Sequence, residues 1–196
     1  MASTAKEVAE LLAGCELPQW ESFATSITTR QVRAGEFLFH AGQTQSSVFI
    51  VNWGVVKLVY ETVDGKHWVK NLATAGTYIA NMTSRSRNSL ARFSAQALAD
   101  TQLEEMAYEQ IQSLAARHIE WQRVVGRAYE LYASRTERRE MEFLTKTAEE
   151  RYLRFLVEYE EFAAMIPQKD IASYIGVTPV ALSRIKSRLR AVNSAK

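Results

Sequence analysis

The sequence predicts an α+β fold, with an antiparallel β-domain behind N-terminal helices, then a long helix and a C-terminal helix-turn-helix. Between residues 35 and 76, glycines recur about one strand and one turn apart, a rhythm typical of β-sandwiches and β-barrels. A helical pattern without proline follows over about 118–143. The segment 166–190 then has the composition of two short helices joined by a tight turn.

The N-terminal residues 1–29 are predicted to be helical, because their apolar residues recur at helical spacing. These residues are Val8, Leu11, Leu12, Trp20, Phe23 and Ile27. From about residue 30 the pattern changes to short β-branched and aromatic runs, which predict strands. The runs are 37–40, 47–51, 55–63, 67–72 and 93–98, with 102–106 as a further candidate. Asp64-Gly65 predicts a hairpin, because both residues tolerate the positive φ of a type I′ turn.

One face of the long helical segment carries Trp121, Val124, Ala128 and Leu131 at heptad spacing, which predicts a helix–helix seam. This seam has two interpretations. It is either the interface of a dimer or the face that packs against the β-domain of the same chain. Both can hold, because one helix has two faces.

Residues 147–150 form a capping box, in which the Thr147 side chain caps the third residue onward and Glu150 reaches back to the cap. The box predicts that a helix begins at residue 148 and continues to about residue 162. The predicted buried stripe of this helix is Tyr152, Phe155, Leu156 and Tyr159.

The C-terminal pair of helices has clear stop and start signals at its turn. Gly176 ends the first helix, because glycine enters the left-handed conformation without steric cost. Thr178 offers an N-cap hydroxyl, and Pro179 suits the first helical position, where a missing N–H is harmless. Buried apolar residues are expected to join the two helices: Ile171, Ala172, Ile175, Leu182, Ile185 and Leu189. This is the arrangement of a helix-turn-helix, whose second helix enters the DNA major groove.

The charge distribution favours a polyanion-binding role for this motif. The formal net charge is +2, but residues 165–196 hold six lysines and arginines against one acid, Asp170. Arg184 is the best candidate for reading a base, because a guanidinium can pair with guanine through two hydrogen bonds. The predicted DNA-binding set is Gln168, Lys169, Thr178, Pro179, Ser183, Arg184, Lys186, Ser187 and Arg188. The alternative is a solvated cationic surface without a function.

Composition argues against several other classes of protein. The content of 47% hydrophobic and 23% charged residues is ordinary for a globular chain. No apolar run reaches transmembrane length, so we expect no membrane partner. A single cysteine allows no internal disulfide, so a reducing cytoplasm is the expected location. The single cysteine, Cys15, and three histidines without ligand spacing predict no metal, haem or iron–sulfur cluster. No serine-hydrolase, Walker-type or paired-carboxylate pattern occurs, so we assign no catalytic residues and predict no enzymatic activity.

The ordered set of motifs resembles the cyclic-AMP receptor protein/FNR (CRP/FNR) family of bacterial transcription regulators. VFIVNWGVVKLVYETVDGKHWVKNL resembles the family's β-roll, and KTAEERYLRFL resembles the start of its DNA-binding domain. IPQKDIASYIGVTPVALSRIKSRLR resembles its helix-turn-helix, closest to Bacteroidetes-type members. The resemblance implies a cyclic-nucleotide-binding-like β-roll (a double-stranded β-helix) with flanking helices over 1–117. It further implies a long dimerisation helix and hinge over 118–146 and a helix-turn-helix DNA-binding domain over 147–196.

The resemblance also implies partners and a ligand pocket. The partners are a second copy of the chain, double-stranded DNA, a small-molecule effector and, as a further candidate, RNA polymerase. In cyclic-AMP-binding members a Gly-Glu pair and an Arg-Ser pair hold the ribose and the phosphate. Here Thr77 replaces the glutamate, and an arginine is displaced by one position, so cyclic AMP is not the expected effector. The candidate pocket residues are Gly76, Thr77, Tyr78, Ile79 and Arg92, while Arg85 and Arg87 are either anion ligands or solvated charges.

Val180 stands where the family usually has an acidic residue, four positions before Arg184. A valine cannot accept a hydrogen bond from cytosine but can touch a thymine methyl group, so a different operator is expected. Our leading hypothesis is a homodimeric, sequence-specific DNA-binding regulator, in which an effector in the β-roll shifts the long helix and re-spaces the recognition helices. The alternative is a ligand- or protein-binding module without regulated DNA binding, which the altered phosphate site favours.

Overall fold

The structure is a computed structural model that describes residues 3–81 and 90–194. Its helices are α1 (Ala5–Ala13), α2 (Trp20–Ala24), α3 (Tyr108–Ala115), α4 (Ile119–Thr145), α5 (Ala148–Glu158), α6 (Gln168–Ile175) and α7 (Pro179–Ser194). Its strands are β1 (Thr28–Val32), β2 (Phe37–Phe39), β3 (Ser47–Trp53), β4 (Val55–Glu61), β5 (His67–Thr74), β6 (Tyr78–Ile79), β7 (Ser94–Ala97) and β8 (Thr101–Ala107). The predicted α+β class is confirmed.

The described strands form two antiparallel four-stranded sheets, in the orders β1-β8-β3-β6 and β2-β7-β4-β5. Phe49, Val51, Leu58, Ala95 and Leu103 lie in the core between them. All predicted strand runs are confirmed, including the further candidate that became β8. Two strands were not predicted: β1, whose TTRQV is largely polar and exposed, and β6, which has only two residues.

The hairpin between β4 and β5 forms as predicted, but its predicted turn type is wrong. Gly65 has a φ of 75°, whereas Asp64 does not adopt a positive φ, as both central residues of a type I′ turn must. The Thr62 N–H donates to the Lys66 carbonyl at 2.9 Å, so the loop contains three residues. Such loops are built from a type I turn and one left-handed residue, and glycine takes that position here.

The N-terminal helical prediction is wrong between the two helices and at its end. Gly14 ends α1 in the left-handed conformation, φ 74°, and α2 begins only at Trp20. Residues 28–29 belong to β1 rather than to a helix. Leu11 is 82% exposed, although its spacing matched that of buried neighbours.

Helix α4 packs on the N-terminal helices of its own chain. The Trp121 side chain is 1% exposed, and its Nε1 donates to the Pro18 carbonyl at 2.9 Å. Its ring stacks on Trp20 at a centroid distance of 6.1 Å. Val124 is buried in the same cluster. The intramolecular interpretation therefore holds for Trp121 and Val124, and a second chain cannot reach them in this arrangement.

Helices α5, α6 and α7 form a small apolar cluster that includes part of the β-domain. Phe155, Ile171, Ile175 and Leu182 are buried in it. The residues that the β-domain contributes are Val55, Val69 and Leu72. The predicted stripe of α5 is correct except at Leu156, which is 36% exposed because the cluster covers only one side of this short helix.

Local caps define the helix-turn-helix as the sequence predicts. Gly176 adopts a φ of 76° at the end of α6. The Thr178 hydroxyl accepts from the Ala181 N–H at 3.2 Å, and α7 begins at Pro179. The capping box of Thr147 and its partner glutamate is also present at the start of α5.

Gly176→Ala is expected to be more destabilising than an ordinary left-handed glycine substitution. A Cβ at this position would collide with the Phe143 ring, in addition to the backbone strain at φ +76°. Left-handed strain alone costs about 1–2 kcal/mol. We expect urea denaturation to show a loss of at least about 2 kcal/mol in the free energy of unfolding.

Gly14→Ala is the matched control, because its φ is +74° and nothing lies within 4 Å of the added Cβ. This variant should lose only the backbone contribution. Equal losses in the two variants would contradict the packing of Phe143 against the turn.

Candidate nucleic-acid interface and effector cavity

Helix α7 exposes the candidate base-reading face to solvent. Leu182 is buried on its inner side, while Ser183, Arg184 and Ser187 are exposed. Val180 is 62% exposed in the first turn. Within the described part of the chain Arg184 has no hydrogen-bond or ion-pair partner, so its guanidinium is available for an external group.

Two other predicted cations are already engaged within the chain. Lys186 Nζ donates to Gln168 Oε1 at 2.7 Å, which ties α7 to the start of α6. Arg188 Nε lies 3.0 Å from Glu149 Oε2 at the start of α5. Exposed pairs of this kind contribute about 0–1 kcal/mol, so a phosphate can replace the carboxylate. Lys169 is exposed and has no ion-pair partner among residues 3–81 and 90–194.

The helix-turn-helix and its neighbours cover the open edge of β5. The Val69 N–H donates to Ser173 Oγ at 2.9 Å, and the Val69 carbonyl accepts from Arg139 at 3.1 Å. The Tyr159 hydroxyl lies 3.4 Å from the Leu72 carbonyl. An outer strand leaves such main-chain groups unpaired, and here helical side chains satisfy them.

A buried ion pair fixes α6 against the β-domain. Lys57 Nζ on β4 lies 2.8 Å from Asp170 Oδ1, and the side chains are 13% and 7% exposed. Asp170 also lies in the first turn of α6, where a negative charge is favourable. Sequence reasoning missed this contact. The available signal was that Asp170 is the one acid in an otherwise basic segment.

A cavity of about 630 Å³ lies between the β-domain, α4 and α6. This volume suits a ligand of nucleotide size. The described lining is rich in aromatic residues, and its three cations outnumber its one carboxylate, Glu140. Its characteristic lining residues are Tyr60, Trp68, Lys70, Tyr132, Arg135 and Arg139.

The predicted pocket residues are divided between different places. Tyr78 and Ile79 line the 630 Å³ cavity. Thr77 lines a smaller neighbouring cavity instead. Gly76 lines neither of these cavities, and its N–H donates to the Val51 carbonyl at 2.9 Å. The structure therefore brings two of the five residues into one cavity.

Arg92 is exposed, but its charge acts on a residue of the cavity wall. Burial raises the pKa of Tyr60, Tyr132 raises it further, and Arg92 opposes both. Arg85 and Arg87 lie outside the described residues.

Lys70 is the cation that sequence reasoning missed in this cavity. The β4–β5 register pairs Leu58 with Asn71 and Val59 with Val69, so Lys70 is the extra residue of a β-bulge. Bulges re-aim side chains beside functional sites. This one sets Lys70 Nζ 4.5 Å from the ring centroid of Phe93 and 5.2 Å from that of Tyr132.

The environment of Lys70 favours an anionic ligand. Burial and, after it, the charge of Arg139 lower the pKa of Lys70. Aromatic faces compensate a buried ammonium only in part. Within the described residues Lys70 has no carboxylate partner, so an anion in the cavity would stabilise its charged form.

The described residues contain neither a cluster of metal ligands nor a helix that could cross a membrane. No group of three or more histidine, cysteine, aspartate or glutamate residues is arranged to hold a metal ion in residues 3–81 and 90–194. None of the helices in those ranges is both long and apolar enough to cross a membrane.

Comparisons with known proteins agree with this arrangement. Residues 29–118 match the family model of the cyclic nucleotide-binding domain. The whole fold is similar to FixK2 from Bradyrhizobium japonicum, with 21% identity, a TM-score of 0.76, and 85% of this chain and 86% of that chain covered. A search of curated proteins found no match.

Two further solved structures show the same fold. The c-di-GMP responsive global regulator CLP of Xanthomonas campestris has 16% identity and a TM-score of 0.68, with 88% of this chain and 91% of that chain covered. The catabolite activator protein of Thermus thermophilus has 19% identity and a TM-score of 0.53, with 96% and 85% covered. At these identities the similarity establishes the fold, a cyclic-nucleotide-binding-like β-roll followed by a long helix and C-terminal helices.

Lys57→Met is expected to destabilise the docked arrangement strongly, because it leaves the Asp170 carboxylate buried without its cation. Breaking one side of a buried pair costs about 3–5 kcal/mol. Urea denaturation should show this loss in the free energy of unfolding. Replacing both residues, with Lys57→Met and Asp170→Leu, should recover much of it.

Lys66→Met is the matched control, because it breaks an exposed pair with Asp64 whose side chains are 69% and 58% exposed. Its expected cost is at most about 1 kcal/mol. Similar losses for Lys57→Met and Lys66→Met would mean that the Lys57–Asp170 pair is not buried in solution.

Proposed function

We propose that this protein is a homodimeric, sequence-specific DNA-binding transcription regulator whose β-roll receives a small-molecule effector. The observation that carries the proposal is an outward-facing Arg184 on α7, within a helix-turn-helix that follows a β-roll and a long helix. The proposed units are the sensor at 1–117, the dimerisation helix and hinge at 118–146, and the DNA-binding domain at 147–196.

The exposed face of α7 has the chemistry for reading a major groove. Arg184 can pair with a guanine through two hydrogen bonds, and Val180 can touch a thymine methyl group. Ser183 and Ser187 add hydroxyl groups that suit either bases or phosphates. Lys169 is exposed in the first turn of α6, and a cation beside a helix N-terminus suits phosphate contact.

A dimer is proposed because one small motif makes few phosphate contacts, whereas two recognition helices read two half-sites. The face of α4 opposite Trp121 is available for this purpose. Ile119, Gly126 and Ala133 recur there every seven residues and are exposed. Their heptad spacing suits a second helix, and Gly126 and Ala133 are small enough to permit close approach.

The proposed effector is an anion with a flat ring rather than cyclic AMP. Lys70, Arg135 and Arg139 supply positive charge in the 630 Å³ cavity, and its aromatic residues supply stacking surfaces. Thr77, which replaces the family's glutamate, lines a different cavity. An effector bound beside Lys70 would act on β5, in which the adjacent residue Val69 donates a hydrogen bond to α6.

The second candidate function is a ligand- or protein-binding module without regulated DNA binding. The observations that favour it are the contacts that hold the helix-turn-helix within the chain, namely Lys57–Asp170 and Arg188–Glu149. The two functions differ in their salt dependence. A protein that neutralises DNA phosphates loses affinity for DNA steeply as the salt concentration rises. A module that binds only protein shows no salt-dependent binding to DNA.

Arg184→Ala is expected to weaken binding to a selected DNA site by about 1–3 kcal/mol and to relax specificity at one base position. Selection of bound duplexes from random sequence should first yield a palindromic or pseudo-palindromic motif. Affinity for that motif is then measured by fluorescence anisotropy at several salt concentrations. Arg33→Ala removes the same charge from an exposed position outside the motif, so it should leave affinity nearly unchanged. Absence of any selected motif, or equal affinity of wild-type and Arg184→Ala, would contradict the proposal.

Ala133→Arg is expected to dissociate the dimer, because it places a long charged side chain in the middle of the exposed face of α4. Sedimentation velocity should show a shift from dimer to monomer at micromolar concentration. Ser22→Arg, on the exposed surface of α2, adds the same side chain away from that face and serves as the control. An unchanged dimer in the Ala133→Arg variant would place the interface elsewhere.

A further inference from the structure

A second, smaller cavity lies at the junction of β5 with α4, α5 and α6, and its volume is about 200 Å³. Its lining is unusually rich in guanidinium groups. Five arginines from two helices face it: Arg135, Arg138, Arg139, Arg151 and Arg154. Like charges three and four residues apart on a helix repel each other, so the trio on α4 is unfavourable without a negative group nearby.

The acids of the cavity neutralise only part of this charge. Among the described residues of its lining, Glu142 and Glu158 are the two carboxylates, against five arginines. Arg138 pairs with Glu158 at 3.1 Å. Arg154 lies 3.8 Å from Glu142 and 3.9 Å from Glu158, which are long contacts. Three positive charges therefore remain without a carboxylate from the lining.

Two of these three arginines are held rigidly by main-chain carbonyls. Arg139 donates to the Tyr174 carbonyl at 2.8 Å, and Arg151 donates to the Ile175 carbonyl at 2.9 Å. Both carbonyls lie at the C-terminus of α6, whose dipole supplies roughly half a negative charge. Both guanidinium groups also stack on Phe143, at 4.9 Å and 4.8 Å from its ring centroid. The groups are positioned, yet most of their charge is uncompensated.

Arg135 and two tyrosines complete the site. Arg135 is exposed and has no hydrogen-bond or ion-pair partner within residues 3–81 and 90–194. Its charge reaches into the cavity, since burial raises the pKa of Tyr159 and Arg135 opposes that shift. The hydroxyls of Tyr159 and Tyr174 lie 3.4 Å apart and offer further hydrogen bonds to a ligand.

We propose that this arginine-lined cavity binds a small multivalent phosphate anion. The cavity adjoins the 630 Å³ cavity beside Lys70 and shares Arg135 and Arg139 with it. Its other three arginines, Arg138, Arg151 and Arg154, line only the smaller cavity. Guanidinium forks match phosphate oxygens with paired hydrogen bonds, and 200 Å³ accommodates a diphosphate group but no nucleoside in addition. A bound anion contacts β5 as well as α4, α5 and α6. It therefore strengthens the docking of the helix-turn-helix on the β-roll.

The test is isothermal titration calorimetry of the full chain with inorganic pyrophosphate, at ionic strength held constant with potassium chloride. Saturable one-to-one binding per chain is expected, together with a rise in melting temperature. Arg138→Gln should weaken pyrophosphate binding about tenfold or more, because this arginine lines only the small cavity. Orthophosphate and citrate, titrated in parallel, distinguish a diphosphate from any multivalent anion.

Two matched variants distinguish this site from others that attract anions. Lys70→Gln removes a cation that lines only the larger cavity, and Arg184→Ala removes one from the recognition helix. Both variants should bind pyrophosphate as the wild type does. Loss of binding in either one with retention in Arg138→Gln, or no saturable binding at all, would overturn the proposal. Because the readout is direct binding, its result does not depend on whether the protein recognises DNA.

Discussion

The open edge of β5 is the constraint on which the arrangement of the C-terminal helices depends. Its N–H and carbonyl groups need partners, and Ser173, Arg139 and Tyr159 supply them. The Lys57–Asp170 pair fixes the register of this docking, because sliding α6 by one turn would leave both buried charges unpaired. The pair itself adds little net stability, since desolvation offsets most of the attraction. Burial of Val69, Leu72 and their apolar neighbours on α6 provides the favourable energy.

Because α6 docks on β5, one short stretch of β5 contacts α6 and also lines the larger cavity. The main chain of Val69 bonds to Ser173 on α6, and the next residue, Lys70, turns into the larger cavity through the β-bulge. A bulge is a point at which strand pairing is already interrupted, so movement there breaks few hydrogen bonds. On the proposed function, an effector that draws Lys70 toward it acts directly on the contact that holds α6. Coupling from the cavity to α6 through Lys70 and Val69 covers a shorter distance than coupling along the whole of α4.

Structural features that depend on neighbouring residues could be predicted from the sequence. Gly176, Thr178 and Pro179 define the turn of the helix-turn-helix through their own backbone chemistry, so their roles were predictable. The hairpin at Asp64-Gly65 was predictable for the same reason, although the number of loop residues, and hence the turn type, was not. Heptad spacing revealed that Trp121 and Val124 face another helix, but periodicity does not say whether that helix belongs to the same chain.

The long-range contacts had no such local signal. Lys57 and Asp170 are 113 residues apart, and nothing in the residues around either one names the other. Lys70 sits in a strand-like run, where alternation alone assigns it to one face or the other, and only the bulge decides that it enters the cavity. The arginines of α4 and α5 read as solvated charges on polar helices. Their convergence depends on the angle at which the two helices meet over β5.

The docked arrangement also limits how DNA recognition can be controlled. Ser183, Arg184 and Ser187 are exposed while α6 rests on β5, so docking does not cover the reading face of α7. On the proposed function, control by masking is therefore excluded in this arrangement. What docking does fix is the position of α7 relative to the β-roll and α4. In a two-fold dimer built on α4, that position sets the distance between two recognition helices, and half-sites tolerate only separations near one helical turn or its multiples. A contact distant from the reading face can then change affinity for DNA, because the recognition helices of both copies must enter their half-sites at the same time.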